Sequence, residues 1–216
     1  STSVETIPPA RIHALQISQP WPWKFLGWWR VDANLASSPG SANKKTPAHT
    51  LLLPVATTRE MVRMVELCVP SLQEESAMAQ VTTLLQQPHT QWAEAGVEDE
   101  SHVGASRRAR FRIPLCYGVT GSAVLRGVVA LRSGRWITKL ALVPLARIQS
   151  SSVSQGPWHR ALGLYVFAVE SVEGPVSTRV AGLDTKDAWR WWDTVHALTV
   201  GAIGDTTTRR KRRTPA

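Results

Sequence analysis

The apolar positions of this chain change their period part-way along it. Up to Gln87 helical spacings alternate with two short strand-like runs, and from Phe111 to Val172 the apolar positions fall mainly into runs of strand length. Arg11 to Ile17 (RIHALQI) reads as a short strand that ends at the Gln19-Pro20 turn signal. After it Trp21, Phe25 and Trp28 stand four and three residues apart, which predicts a short helix packed on its aromatic face. Pro22 is tolerated there because a first helical turn needs no amide donor. Ala33 to Ala48 has no apolar period and is rich in Ser, Pro, Gly and Asn, so it reads as a loop. Thr50 to Ala56 is then a buried strand. Thr57-x-x-Glu60 is a capping box, opening a helix whose inner face is Met61, Met64, Val65 and Cys68. Pro70 stops it, and Ser71-x-x-Glu74 opens a second helix, to about Gln87, that buries Met78, Val81 and Leu85.

Pro88 to Arg110 is polar and reads as a connector. Beyond it, SAVLRGVVALRS and RWITKLALVPLA flank a Ser133-Gly134 hairpin signal, and Gly127 allows a bulge or a close approach. Ser150 to Gly156 is expected to be a loop, Ala161 to Val172 a strand, and Asp184 to Val200 a final helix capped by Asp184. No internal repeat is read. The order of elements predicts an α+β domain with a strongly curved, barrel-like sheet and flanking helices. Residues 1–10 form an arm, 11–200 the domain with insertions at about 35–48 and 70–110, and 201–216 a basic tail.

Charge adds a partner to this picture. Net charge is +9, and its distribution is uneven. Residues 1–100 hold 7 basic and 10 acidic side chains, whereas 101–169 hold 10 basic and no acidic ones. Soluble surfaces normally mix the two signs, so a stretch this long without a carboxylate points to a polyanion, most simply RNA. Arginine outnumbers lysine, which suits bidentate phosphate contacts. The expected contacts are Lys24, Arg30, Arg107, Arg108, Arg110, Arg112, Arg126, Arg132, Arg135, Lys139, Arg209, Arg210, Lys211, Arg212 and Arg213.

Catalytic chemistry has little to stand on. No G-x-S-x-G, Walker loop, G-x-G-x-x-G or H-E-x-x-H is present, and no His/Cys cluster has metal-ligand spacing. His13 and His159 lack sequence-local partners, and Cys68 and Cys116 read as buried thiols. No catalytic residue, cofactor or metal is expected. No apolar run reaches the length of a membrane span, and no membrane partner is expected either.

One stretch carries a family resemblance. ALQISQPWPWKFLGWWRVDAN resembles the opening of an ASCH domain, a branch of the PUA-like superfamily, in which a strand runs into a QPW turn and then a G-x-K-x-x-E-x-R signature. Gly27 matches the glycine, but Trp29 stands for the lysine, Asp32 for the glutamate and Asn34 for the arginine. TLLLPVA, GSAVLRGVVAL and AGLDTKDAWRWW resemble later elements in the right order, over about residues 11–192. The resemblance implies a small PUA-like β-barrel and RNA binding. The lost lysine and arginine imply that the family's hydrolytic chemistry is absent. The expectation is therefore a non-catalytic, intracellular RNA-binding protein, an architectural subunit of a ribonucleoprotein such as a mitochondrial ribosome. The alternatives are an ASCH-type ribonuclease or nucleoside amidohydrolase using Asp32, Arg30 or Lys24, and a modified-base reader built on Trp21 and Trp28.

Overall fold

The computed structural model describes residues 11–35, 49–92, 101–111, 118–134, 136–171 and 176–212. Their strands are β1 (Ile12–Pro20), β2 (Trp28–Leu35), β3 (His49–Thr57), β4 (His102–Gly104), β5 (Gly121–Leu125), β6 (Val128–Ser133), β7 (Ile137–Pro144), β8 (Ser150–Ser154), β9 (Leu164–Glu170) and β10 (Arg179–Asp184). The α-helices are α1 (Thr58–Cys68), α2 (Glu75–Gln86), α3 (Pro157–Ala161) and α4 (Thr185–Arg212).

Seven strands form one sheet in the order β3-β2-β1-β7-β6-β5-β4, and three form a second in the order β10-β9-β8. Every neighbouring pair is antiparallel. The class is α+β, as expected, but the large sheet is open between its β3 and β4 edges, so the predicted barrel is not formed.

Alternation along the central strands builds a core on each face of the large sheet. Leu15, Ile17, Val128, Ala130, Leu140 and Leu142 point to one side, where Met61 and Val65 of α1 and Met78, Val81 and Leu85 of α2 cover them. Val129, Leu131, Ala141 and Val143 point to the other, against Phe167, Val169 and Val180 of the small sheet and Trp191 and Val195 of α4. Each strand of the middle layer is thus buried twice, which explains why β6 and β7 read as nearly continuous apolar runs.

The capping box forms as predicted. The Thr57 hydroxyl accepts from the Glu60 amide at 3.4 Å, and a Glu60 carboxylate oxygen accepts from the Thr57 amide at 2.8 Å. Thr57→Ala is expected to cost about 1 kcal/mol, read as a lower midpoint in urea at unchanged slope. The second box does not form: Pro70–Leu72 is a 3-10 turn, and α2 starts later, at Glu75, with no side-chain cap.

Five further expectations are corrected. Arg126 and Gly127 both have positive φ, 46° and 79°, so together they make the tight two-residue turn between β5 and β6. Ser150–Ser154 is a strand, and α4 continues through Arg212, past the Val200 end expected for the final helix. The predicted aromatic helix is a single 3-10 turn, Trp21–Lys24; Gly27 then turns the chain at φ 62° and Trp28 enters β2. Its aromatics do not pack inward: Trp21 is 55% exposed and Phe25 77%.

The fifth correction concerns the repeat. Residues 10–35 and 146–171 align without a gap, with Ala10/Ala146, Arg11/Arg147, Ile12/Ile148, Ser18/Ser154, Gln19/Gln155, Leu26/Leu162 and Gly27/Gly163 identical. The two segments share a hydrogen bond, a glycine conformation and a strand register, although Trp21–Lys24 is a 3-10 turn and Pro157–Ala161 a short α-helix. Gln19 Nε2 donates to the Trp28 carbonyl at 3.2 Å, and Gln155 Nε2 donates to the Leu164 carbonyl at 3.2 Å. Gly27 and Gly163 have φ 62° and 63°. Leu15, Gln16, Ile17 and Ser18 face Ala33, Asp32, Val31 and Arg30; Ser151, Ser152, Val153 and Ser154 face Val169, Ala168, Phe167 and Val166, which is the same register. Each unit then adds a third strand with a bulge and a helix: β1-β2-β3-α1 and β8-β9-β10-α4. The chain therefore carries one supersecondary unit twice. The first copy extends the large sheet edgewise through β1 and β7, and the second lies across its face.

Candidate anion-binding cleft

Strand geometry brings the polar residues of the first unit together. Side chains two apart on a strand share a face, so Arg30 and Asp32 stand side by side on β2. Across β1 they meet Ser18 and Gln16, and across β7 the row Arg30–Ser18 continues to Lys139. The next pair along is Pro20 and Ile137. These seven residues line a cleft of about 270 Å³.

Its floor is polar and largely buried, with Gln16, Ser18 and Asp32 each less than a tenth exposed. Arg30 forks onto Asp32: Nε lies 3.0 Å from Oδ2 and Nη2 lies 3.0 Å from Oδ1. That hydrogen bonding holds the guanidinium pKa above its ordinary value. The back of the site is propped by chain from the second core. Gln16 Oε1 accepts from the Ser177 amide at 3.0 Å, and Asn34 Oδ1 accepts from the Val176 amide at 3.4 Å. Among the described lining residues Arg30 and Lys139 face one carboxylate, which Arg30 engages, so these residues carry a surplus positive charge. Such a site suits the compact negative group of a phosphate or carboxylate.

Among the described residues no cluster of three or more His, Cys, Asp or Glu could hold a metal ion. Ser18 has no histidine or second carboxylate among the cleft's lining residues that could activate it. Trp29, at the position matched to a catalytic lysine, points away from the cleft. It is buried in the helical-side core and donates through Nε1 to the Thr58 hydroxyl at 3.0 Å.

The other predicted contacts scatter. Lys24 sits on the exposed turn beside the cleft. Arg107, Arg108 and Arg110 are exposed on a separate 3-10 turn, with Arg108 3.9 Å from Asp184. Arg126 pairs with Glu74 at 2.7 Å across the outside of the β5–β6 turn. Arg132 is 3% exposed, and its Nη1 donates to the Gln87 carbonyl. Burial alone pushes its guanidinium down to about 10, so it is a core group and not a surface contact. Arg209, Arg210, Lys211 and Arg212 continue the backbone of α4, of which the side chains there are outside the described set. Arg112, Arg135, Arg213 and Cys116 lie outside the described residues. Cys68 is a free thiol that burial pushes up to about 11. His13 is lowered by burial and then by Arg147, a poor setting for a phosphate contact through its cationic form.

Residues 117–199 match the family model described as Bacterial PH domain. The matched segment takes in β5 to β7 of the large sheet, all of the small sheet and α4 as far as Thr199. It is less than half of the chain, so it marks a similarity of that part to bacterial PH domains. No curated protein and no solved structure matches the chain. This finding overturns the ASCH resemblance, and the RNA-binding and ribosomal identification that went with it. The structure gives the physical reason: Trp29 and Asn34, two signature positions, serve the core and a backbone prop, while the QPW turn belongs to a unit that recurs near the C-terminal side of the same chain.

The repeat also separates what the fold needs from what it does not. At the positions of Gln16, Arg30, Asp32 and Asn34 the second unit holds Ser152, Val166, Ala168 and Glu170. The strand register is the same with a valine and an alanine where the first copy keeps an ion pair whose carboxylate is buried.

Proposed function

We propose that this chain is a non-catalytic, architectural binding module of PH-like organisation whose working site is the β1–β2–β7 cleft. The observation that carries this reading is the difference between the two copies of the repeated unit. Desolvating an ion pair costs free energy that well-packed apolar residues of similar size do not, and Val166 and Ala168 show that this backbone accepts apolar residues. A pair retained at that cost, beside Lys139, serves recognition. Arg30 is fixed by Asp32 and Lys139 offers a mobile ammonium, so together they hold the oxygens of one phosphate or carboxylate group.

The test is calorimetry or chemical-shift titration with inorganic phosphate and glycerol phosphate at low salt. Saturable binding is expected, weakening as salt rises, with Lys139→Gln lowering affinity about tenfold. Binding that is absent in the wild type, or unchanged in Lys139→Gln, refutes the reading.

A further inference from the structure

The turn that closes the cleft carries a second feature that the fold does not require. Trp21, Phe25 and Leu26 between β1 and β2, and Trp28 at the start of β2, are all exposed, with Lys24 among them. The β6–β7 connection adds Trp136, 63% exposed, and Ile137 to the same edge. The two turns are tied together: the Trp21 amide donates to the Trp136 carbonyl at 2.9 Å, and Pro20 faces Ile137 across β1 and β7. The rings pair with each other rather than with the core, Trp21 with Phe25 at 5.6 Å and Trp23 with Trp28 at 6.2 Å, both edge-on.

The second copy of the unit shows what the turn itself demands. Gly156 to Gly163 makes the same β–β connection through a short α-helix and ends on a glycine of the same φ, with Trp158 as its one aromatic ring besides His159. A connection of this length between the paired strands is thus made in the second copy with far fewer rings. A contiguous apolar surface of this kind marks a docking site.

We infer that this aromatic tip docks on the surface of a bilayer containing anionic phospholipid, with a lipid phosphate entering the cleft behind it. This rests on the reading of the cleft as an anion site. Three observations favour a bilayer over a protein groove. The apolar residues lie on two adjoining hairpin turns at the end of a sheet, which enter an interface more readily than they fill a pocket. Tryptophan dominates them, and its amphipathic ring favours the headgroup region. Lys24, Arg30 and Lys139 lie beside them, complementary to an anionic leaflet. Among the described residues no helix is long and apolar enough to cross a membrane, so the contact is with the surface. The sequence expectation of no membrane partner considered spanning segments alone. Positions 21–28 also lie outside the segment that is similar to bacterial PH domains.

The experiment is co-sedimentation of the full chain with vesicles of phosphatidylglycerol mixed with phosphatidylcholine, and with vesicles of phosphatidylcholine alone. Wild type is expected to sediment with the anionic vesicles. A Trp21→Ser/Phe25→Ser variant, altered only at exposed rings, is expected to bind them about tenfold more weakly while its melting temperature and its glycerol phosphate affinity stay unchanged. Trp158→Ser should sediment as wild type does. Wild type remaining in the supernatant, or the tip variant sedimenting like wild type, overturns the inference even if glycerol phosphate still binds. A tip variant that instead converts a dimer to a monomer in solution also overturns it, by assigning the patch to a second copy of this chain. Vesicle binding that survives Lys139→Gln unchanged keeps the docking surface and removes the cleft from it.

Discussion

Trp191→Ala is expected to destabilise the protein by about 3–5 kcal/mol, a large part of the stability of a domain this size. Trp191 is 1% exposed and lies in the core between α4 and the sheets, with Phe167, Leu183 and Val195 in the same cluster. Truncation removes a bicyclic ring from a place where the large sheet, the small sheet and a helix converge, so no single element can shift to close the cavity. Two companion variants make the result diagnostic. Trp189, two residues earlier on α4, is 49% exposed, and Trp189→Ala is expected to cost below about 1 kcal/mol. Trp191 Nε1 is buried with no hydrogen-bond partner among the described residues, so Trp191→Phe removes an unsatisfied donor along with some volume. Its cost should stay within about 1.5 kcal/mol. Urea unfolding followed by far-ultraviolet circular dichroism reads all three; a cost for Trp191→Ala no larger than that for Trp189→Ala would mean that α4 does not close this core.

Local chemistry was readable wherever one short segment decides the outcome. Thr57 and Glu60 announce a helix start because both halves of the box lie within four residues, and Met61 and Val65 then follow from the helical period. The stretch from Trp21 to Trp29 misled because a 3-10 turn, a left-handed glycine and the first residues of a strand place aromatics at distances that mimic a helix. Ser150–Ser154 read as a loop by composition, although register with β9 makes it a strand. The repeat is faint in the sequence because its shared residues are few, Ala-Arg-Ile at the start, Ser-Gln before the turn and Leu-Gly after it, while the faces between them diverged. The cleft followed from the same error. With Trp28–Leu35 taken as a strand, Arg30 and Asp32 become an i, i+2 pair of opposite charge on one face, which is the signal that was available. Lys139 could not have been joined to them without knowing that β1 pairs with β7. Basic residues counted along the sequence gave a single surface; in three dimensions Arg132 is in a core, Arg126 is paired with Glu74, and the cleft takes only Arg30 and Lys139.

The second large effect is expected at the ion pair itself. Arg30→Ala should cost about 2–3 kcal/mol, below the 3–5 typical of breaking a fully buried pair because the Arg30 side chain is 43% exposed and partly screened by water. The penalty arises at Asp32, which keeps a largely buried carboxylate after losing two charge-assisted hydrogen bonds. Arg30→Val/Asp32→Ala, which installs the residues that the second unit carries at Val166 and Ala168, is expected to recover most of that stability and to approach wild type. The same double variant should no longer bind phosphate. Urea unfolding of wild type, Arg30→Ala and the double variant, with phosphate titration of each, measures both quantities together. The pair would be structural if the double variant were as unstable as Arg30→Ala. Recovery of stability with loss of binding is the pattern of a pair that this fold carries for its ligand, since the other copy of the same unit stands without one.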